Sequence, residues 1–248
     1  MNTQIKNDIE LERMRASGRM LAHVLRYLAP MALPGVTTGE LDKIAATELE
    51  KLGGQPAFKG FEGFPAVICI SVNDEVVHAI PGSRKLVEGD IVGLDFGVSY
   101  EGMITDGAVT VPVGQISQEA RRLLRATKEA LDAGMDQVSD GARIGDISHA
   151  VETRLRRDKL SIIEELGGHG VGHHLHEDPV ILNYGRAGTG MRLKAGMTIA
   201  IEPMATLGRR EIYQADDGWA ILTQDGSLSA QFEHTVLVTE GGFEILTK

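Results

Sequence analysis

The sequence has 248 residues, a formal net charge of −10 and one cysteine, and these values exclude several classes of protein. The length suits one large domain or two small ones and is sufficient to bury a full core. Basic residues form only short pairs such as Arg209-Arg210, which argues against nucleic acid as the main partner. The single cysteine, Cys69, excludes an internal disulfide and a thiolate zinc cluster.

The sequence shows no sign of a membrane or export segment. Its apolar runs are far shorter than the ~20 residues that a membrane helix needs. Residues 1–8 are polar and lack the apolar core of a secretion signal. We therefore expect a cytoplasmic protein with no membrane partner.

Helical spacing of apolar residues and cap residues predict four helices. They cover residues 7–29, a segment from a capping box at Thr37 to the glycine pair 53–54, a segment that begins at Ser117, and a segment from about Asp146 to about Arg157.

Short apolar runs bounded by turn residues predict the strands. They are Ala66–Val72, Val76–Ile80, a hairpin within Ile91–Val111, Met197–Leu207, Ala220–Leu222 and Phe232–Val238. The glycine-rich segment Gly167–Pro179 is predicted to form neither helix nor regular strand.

Two aspartates of the hairpin are predicted to lie on one face. If Tyr100 and Glu101 are the central turn residues, Asp95 lies directly opposite Asp106, with Cβ atoms roughly 4.5–5.5 Å apart. Two carboxylates at that range repel, so either one is protonated or a cation lies between them. Gly93 and Gly97, on the same face, are predicted to leave room for the cation.

A short internal repeat suggests two similar halves. The segment Gly35–Leu41 is echoed by Gly141–Ile147, and each copy follows one helix and opens another. Each half then leads into strands with two acids, Asp95 and Asp106 in the first and Glu202 and Glu233 in the second. We expect a single catalytic domain over residues 1–248, with halves of about 1–116 and 117–248, whose acids face a shared centre.

The second half carries further residues suited to metal binding or acid–base chemistry. Residues 167–179 hold four histidines among four glycines, and imidazole is a common metal ligand and general acid or base. We interpret His173 and His174 as polar loop residues. Glu202 and Glu233 lie in apolar strand patterns, where an isolated carboxylate would be very costly unless it is paired or bound to metal.

The sequence resembles the type I methionine aminopeptidases over essentially its whole length. The matching segments are Asn73, His78-Ala79-Ile80-Pro81, Leu94-Asp95-Phe96-Gly97, Thr105-Asp106, Gly168-His169-Gly170-Val171-Gly172, His176-Glu177-Asp178-Pro179, Ile201-Glu202-Pro203-Met204, Trp219 and Ser227–Thr235. The resemblance implies an α+β pita-bread fold, with two pseudo-symmetric halves of helices packed on a curved antiparallel sheet. It also implies a metal-dependent hydrolase that uses a metal-bridging water to remove the N-terminal methionine of peptides and nascent proteins when the second residue is small.

The resemblance further implies a site with two divalent metal ions. Asp106 and Glu233 would bridge the ions, Asp95 would hold one, and His169 with Glu202 the other. Four carboxylates and a neutral imidazole carry −4, which two divalent cations cancel. Such a donor set suits Co, Mn, Fe(II) or Zn.

The remaining site residues also follow from the resemblance. Glu202 would accept a proton from the attacking water, His176 would support the tetrahedral intermediate, and His78 would interact with the scissile amide. The methionine pocket would be lined by Phe58, Phe61, Phe64, Cys69, His78, Leu175 and Trp219. Four positions depart from the family's common pattern and affect pocket shape, namely Phe58, Ala79, Gly168 and Leu175. We expect a monomer that contacts the ribosome transiently.

Two alternatives are considered beside this interpretation. One is a relative of the same fold that cleaves Xaa-Pro bonds, although such enzymes usually carry a large extra N-terminal domain. The other is a catalytically inactive scaffold, although such proteins typically lose several metal ligands. Serine-hydrolase, P-loop and H-E-x-x-H metalloprotease motifs are absent from the sequence.

Overall fold

The fold combines helices with antiparallel sheets in a computed structural model that describes residues 5–248. The helices are α1 (Asp8–Leu28), α2 (Thr38–Leu52), α3 (Gln118–Met135) and α4 (Ile144–Arg157). The strands are β1 (Gln55–Pro56), β2 (Cys69–Val72), β3 (Glu75–Val77), β4 (Ile91–Tyr100), β5 (Met103–Pro112), β6 (Ser161–Ile162), β7 (Gly167–Gly170), β8 (Glu177–Leu182), β9 (Thr198–Ile201), β10 (Met204–Thr206), β11 (Ile212–Gln214), β12 (Ile221–Thr223), β13 (Ser229–Gln231), β14 (His234–Thr239) and β15 (Gly242–Ile245). In this part of the chain, helices long and apolar enough to span a membrane are absent.

Local sequence explains where the helices begin. Asn7 caps α1 through a capping box with Glu10, and Thr37 caps α2 in the same way. The hydroxyl of Ser117 accepts the N–H of Ala120 in the first turn of α3. These three starts match the prediction, whereas α4 begins at Ile144, two residues earlier than predicted.

The helices cover two main sheets. The order β1-β4-β2, with β5 also paired to β4, forms one sheet, and β15-β14-β9-β7-β8 forms the other. Helices α1 and α2 share an apolar cluster with β2 and β4. Helices α3 and α4 pack with β9 and β14 in a second cluster. This arrangement confirms the predicted α+β class.

The repeated segment has the same local structure in both copies. Gly35 and Gly141 both have positive φ, at 92° and 82°, a conformation that glycine adopts without strain. Two residues later, Thr37 and Arg143 each form an isolated antiparallel bridge to a distant segment. The division of the chain near residue 116 stays a prediction.

The predicted register of the hairpin is wrong by two residues. Tyr100 pairs with Met103, so Asp95 lies opposite Ala108, and Asp106 lies opposite Gly97. Because side chains alternate with a period of two, this shift leaves Asp95 and Asp106 on the same face as diagonal neighbours.

The glycine-rich segment also differs from its prediction, because it contains β7 and the start of β8. A Cβ at Gly168 would lie 2.2 Å from the carbonyl oxygen of Ala200, and one at Gly170 would lie 2.2 Å from that of Asp178. Glycine therefore permits unusually close strand packing here.

The predicted strand Met197–Leu207 is interrupted in the structure. Strand β9 ends at Ile201 and β10 begins at Met204. Pro203 has no N–H to donate to a ladder, which explains the break immediately after Glu202.

Candidate metal centre and substrate cavity

Five potential metal ligands come together where the two main sheets meet. Asp95 and Asp106 project from β4 and β5, and His169 from β7. Glu202 follows β9 directly, and Glu233 lies between β13 and β14. All four carboxylates are buried, with between 2% and 9% of each residue exposed.

Hydrogen bonds between β5 and the segment around Glu233 fix the acids in place. The N–H of Glu233 donates to the carbonyl of Ala108 at 2.9 Å. The N–H of Asp106 donates to the hydroxyl of Thr235 at 2.9 Å, and that hydroxyl donates back to the Asp106 carbonyl at 2.7 Å. Two acids that are distant in sequence therefore share one rigid junction.

The geometry suits a cation. One ligand atom from each of Asp106, His169 and Glu233 lies within 4.8 Å of the other two. Asp95 Oδ1 and Glu233 Oε1 are buried and have no hydrogen-bond partner in the described part of the chain. Buried carboxylate oxygens are normally hydrogen-bonded or bound to metal, so these two are available as ligands.

The buried acids have strongly perturbed acidities. Burial raises the pKa of Asp106 to about 7. Burial and the charge of Asp106 raise the pKa of Asp95 well above its usual range. Burial and the charges of Asp106, Glu202 and Asp95 do the same to the pKa of Glu233. The pKa of Glu202 is raised by burial and by the charges of Asp95 and Asp106. Bound divalent cations would compensate these clustered charges.

His169 is oriented as a neutral ligand. Its Nδ1 lies 2.9 Å from the carbonyl oxygen of Gly170, which favours the tautomer with the proton on Nδ1. Its Nε2 lies 3.5 Å from Glu202 Oε1 and is then free to bind a metal. Burial, with the neighbouring His176, lowers the pKa of His169 to about 4. The carboxylates and this imidazole therefore fit a divalent transition metal.

A cavity of about 420 Å³ opens onto the acid cluster. Its lining contains the five candidate ligands and every residue of the predicted methionine pocket, namely Phe58, Phe61, Phe64, Cys69, His78, Leu175 and Trp219. The cavity thus has a charged end and an apolar end.

Aromatic rings shape the apolar end. Phe64 packs edge-to-face on Trp219, with ring centroids 5.0 Å apart. Phe61 packs in the same manner on His176 at 5.4 Å. A Cβ at Gly97 would lie 2.5 Å from Phe58 Cε1, so the Phe58 ring fills the space above Gly97. The prediction that Gly97 leaves room for a cation is therefore wrong, because an aromatic ring occupies that space.

His78 and His176 lie between the cavity and a second one of about 380 Å³, and they line both. Both histidines are exposed to solvent. His78 has a φ of 62°, which is uncommon for a residue other than glycine, and such strain often occurs at functional sites. The His176 ring lies 4.5 Å from that of His169. Both are accessible to a substrate that reaches the charged end.

The other two histidines of the segment differ from each other. His174 is exposed, as expected for a polar loop residue. His173 Nε2 lies 2.9 Å from Glu10 Oε1, so this ring links the loop to helix α1.

Several residues of the site had no role in the sequence interpretation. Gln231 donates its side-chain N–H to Glu202 Oε2 at 3.2 Å and therefore orients that carboxylate. Gln231 precedes Glu233 by two residues, and this strand-like spacing was a signal that the two share a face. Glu62, Gln214, Gly218 and Ile221 complete the cavity lining.

A family model of the metallopeptidase family M24 matches residues 12–240. The chain belongs to metallopeptidase family M24. It is 46% identical to methionine aminopeptidase 1 of Bacillus subtilis (strain 168) over 243 residues, which cover 98% of each chain. The crystal structure of methionine aminopeptidase from Thermotoga maritima is 42% identical and superposes with a TM-score of 0.98 over 100% of both chains. The prolidase from Pyrococcus furiosus, 22% identical with a TM-score of 0.78, covers 98% of this chain and 65% of its own, and shares the fold.

These M24 relatives confirm the resemblance to the methionine aminopeptidases and the predicted pita-bread fold. Membership of a metallopeptidase family also implies the use of divalent metal, in agreement with the buried cluster of acids and histidine.

Proposed function

We propose that this protein hydrolyses the bond after an N-terminal methionine in peptides and nascent chains when the second residue is small. The observation that carries this function is the two-ended cavity, in which an aromatic pocket adjoins buried acids and imidazoles. An unbranched thioether is well suited to the apolar end, because sulfur makes favourable contacts with aromatic rings. The scissile bond would then lie beside the charged end.

Two divalent metal ions per chain would be held by Asp95, Asp106, His169, Glu202 and Glu233. Asp106 and Glu233 would bridge them, Asp95 would bind one ion, and His169 with Glu202 the other. The oxygen-rich donors with one imidazole suit Co, Mn, Fe(II) or Zn. When bound, such a pair supplies a water of lowered pKa and polarises the substrate carbonyl.

The protein's own groups would handle the protons and the developing charge. Glu202, held by Gln231, accepts the proton of the attacking water. His176 donates a hydrogen bond to the oxyanion of the tetrahedral intermediate. His78, exposed at the junction of the two cavities, interacts with the scissile amide on the leaving side.

The methionine side chain would be held by Phe58, Phe61, Phe64, Cys69, Leu175 and Trp219, with His78 at the border of the pocket. Phe58, Phe64, Cys69 and Leu175 are each at most 8% exposed. Their burial defines a fixed slot rather than an adaptable surface.

The setting that fits this activity is the cytoplasm, where nascent chains emerge. The free buried thiol of Cys69 agrees with a reducing compartment. We propose a monomer that meets nascent chains through transient ribosome contact, with neither nucleic acid nor membrane as its main partner. The residues form one catalytic domain with halves of about 1–116 and 117–248.

The test begins with metal-free protein reconstituted with Mn, Fe(II), Co or Zn. Release of methionine from Met-Ala-Ser, together with the number of metals bound per chain, is measured for each ion. Turnover that requires metal supports the proposal. Binding of metal without turnover would instead indicate an inactive scaffold, and faster cleavage of an Xaa-Pro peptide would indicate the prolidase-like alternative.

A further inference from the structure

Lys6 places a buried ammonium next to the loop that carries His176. Its Nζ lies 2.7 Å from Glu177 Oε2, and the two side chains are only 1% and 2% exposed. The two residues are 171 positions apart in the sequence. A buried ion pair is weak evidence for added stability, but it imposes a strict geometry on both partners.

The other carboxylate oxygen of Glu177 binds the backbone of the loop. Oε1 accepts the backbone N–H of His173 at 2.6 Å and that of His174 at 3.0 Å. One carboxylate therefore joins the ammonium of Lys6 to two consecutive peptide groups. Because both bonds go to backbone atoms, they constrain the path of the loop itself.

The Lys6 side chain also lies directly against the loop backbone. Gly172 has a φ of 151°, and a Cβ there would lie 2.3 Å from Lys6 Cε. The N–H of Lys6 donates to the carbonyl of Gly196 at 2.9 Å, which anchors this lysine just before β9. The lysine is thus fixed at its backbone and at its ammonium.

Helix α1 makes a second connection to the same loop. Glu10 Oε2 accepts the N–H of Asn7 in the capping box, while its Oε1 lies 2.9 Å from His173 Nε2. Lys6, just before α1, and Glu10, in its first turn, therefore hold this segment at Glu177 and at His173, both of which follow Gly172.

We propose that Lys6 is a positioning residue for His176, acting through Glu177, which directly follows this histidine. The His176 ring has edge contacts with Phe61 and His169, so a shift of the loop would move the ring relative to both. A misplacement of about 1 Å far from the chemistry can reduce a rate by as much as about 10²-fold. The inference rests on the role that the proposed function gives to His176.

The first measurement is the turnover of Lys6→Met on Met-Ala-Ser at equal metal content. We expect kcat to fall about 10-fold with KM changed less than about twofold, because a hydrogen bond used mainly in the transition state is misaligned. Lys6→Arg, which keeps the charge, should recover part of the loss. Arg15→Met is the matched control, since it breaks the α1 ion pair to Glu244 and leaves the loop contacts intact.

The deciding measurement repeats Lys6→Met in the His176→Ala background. If Lys6 acts through His176, Lys6→Met lowers the kcat of the His176→Ala variant no further. An equal loss of kcat on Lys6→Met in the wild-type and His176→Ala backgrounds would overturn the inference. So would a lower unfolding temperature of Lys6→Met alone without any loss of kcat. A normal kcat in His176→Ala alone would instead refute the proposed role of His176, and the positioning role with it.

Glu177→Gln keeps the test decisive if Lys6→Met does not fold. Glutamine retains an oxygen that can accept the N–H groups of His173 and His174 but loses the charge that Lys6 requires. We expect kcat to fall by less than the about 10-fold expected of Lys6→Met, and we expect no fall in the His176→Ala background. A loss that persists there would contradict the positioning role.

Discussion

The Phe58 ring lies over Gly97 so closely that no other residue fits at position 97 without displacing it. A Cβ on Gly97 would lie 2.5 Å from Cε1 and 2.8 Å from Cδ1 of Phe58. Gly97 is the cross-strand partner of Asp106, so the same backbone site supports the aromatic pocket and faces a candidate metal ligand. The size of residue 97 therefore sets how far the Phe58 ring reaches into the cavity.

Gly97→Ala is expected to raise KM for Met-Ala-Ser about 10-fold, the scale of one methylene in an apolar pocket. The added methyl pushes the Phe58 ring towards the methionine side chain. In a Phe58→Ala background the same substitution should change KM by less than about twofold. Steady-state kinetics of the four variants provide the test.

Gly93→Ala is the matched control for this cycle. It lies on the same strand, but its new Cβ would approach neighbouring atoms no closer than 3.6 Å, an ordinary contact distance. Steric contact with this ring does not control the pocket if Gly97→Ala raises KM equally with and without Phe58. The same conclusion follows if Gly93→Ala raises KM as much as Gly97→Ala does.

Asp106→Ala and Glu233→Ala are expected to abolish turnover and lower the metal content, because each removes a proposed bridging carboxylate. Metal analysis of dialysed protein and release of methionine are the two measurements. Glu62→Gln, at the cavity lining but outside the acid cluster, serves as the control and should retain its metal. Full activity in either alanine variant would exclude the proposed two-metal site.

In metal-free protein, removing a charge from the same acid cluster is expected to stabilise the folded state. The acids are buried together, and mutual repulsion contributes to the raised pKa of Asp95 and Glu233. Asp106→Asn removes one of the charges at nearly constant volume, so we expect metal-free protein to unfold at a higher temperature than the wild type near pH 8. Calorimetry after chelation checks this, and a lower unfolding temperature would contradict it.

His176→Ala is expected to reduce kcat by roughly 10²–10³ while metal remains bound, the scale of losing one transition-state donor. His174→Ala is a close control, because this exposed neighbour lies on the same loop and its backbone N–H to Glu177 is retained. Comparable kcat values for the two variants would show that His176 has no catalytic role and is an ordinary loop residue.

Local signals in the sequence predicted much of the fold. The Thr37 capping box placed the start of α2, because a cap depends only on residues three positions apart. The shared face of Asp95 and Asp106 was predicted correctly despite the wrong register, because a shift of two preserves the alternation of side chains. The assignment of the ligands and of the pocket came from the resemblance rather than from spacing.

Long-range side-chain contacts were beyond such signals. The pairing of Lys6 with Glu177 joins residues that no local period connects. The fit of Phe58 over Gly97 depends on the path of the chain between β1 and β2. Strand β7 was missed because glycine lowers strand propensity, whereas in this fold its glycines permit the close approach of β8 and β9.

Asp225 gives a pH-dependent prediction. Its Oδ2 accepts the N–H of Arg209, and its Oδ1 accepts the hydroxyl and N–H of Ser227. These bonds, with that of Arg209 the largest cause, lower the pKa of Asp225 to about 2 from the usual 3.8. A carboxylate with a depressed pKa stabilises the folded state above the unfolded pKa, and that contribution is lost as the pH falls towards 2.

Asp225→Asn should therefore destabilise the protein near neutral pH, with a difference from the wild type that shrinks below about pH 4. Urea unfolding of metal-free wild type and variant between about pH 7 and about pH 3 checks the window without a contribution from metal loss. Asp216→Asn, at a nearby exposed position, is the control. A difference that stays constant or grows at low pH would refute the role of this carboxylate.

The last prediction concerns the residue that follows methionine. His78, His176 and Glu202 surround the place where the proposed scissile bond lies, and all three line both cavities. A large second side chain would collide with these walls, so we expect Met-Gly, Met-Ala and Met-Ser peptides to be cleaved and Met-Asn peptides barely.

Norleucine should compete weakly for the first position, because an apolar pocket distinguishes such small changes by only about 10–200-fold. Relative kcat/KM across a Met-Xaa-Ser series, with Ala-Ala-Ser as the control for the first position, measures both effects. Efficient cleavage of Met-Asn-Ser would mean that the walls lie elsewhere, and efficient cleavage of Ala-Ala-Ser would mean that the aromatic slot does not select methionine.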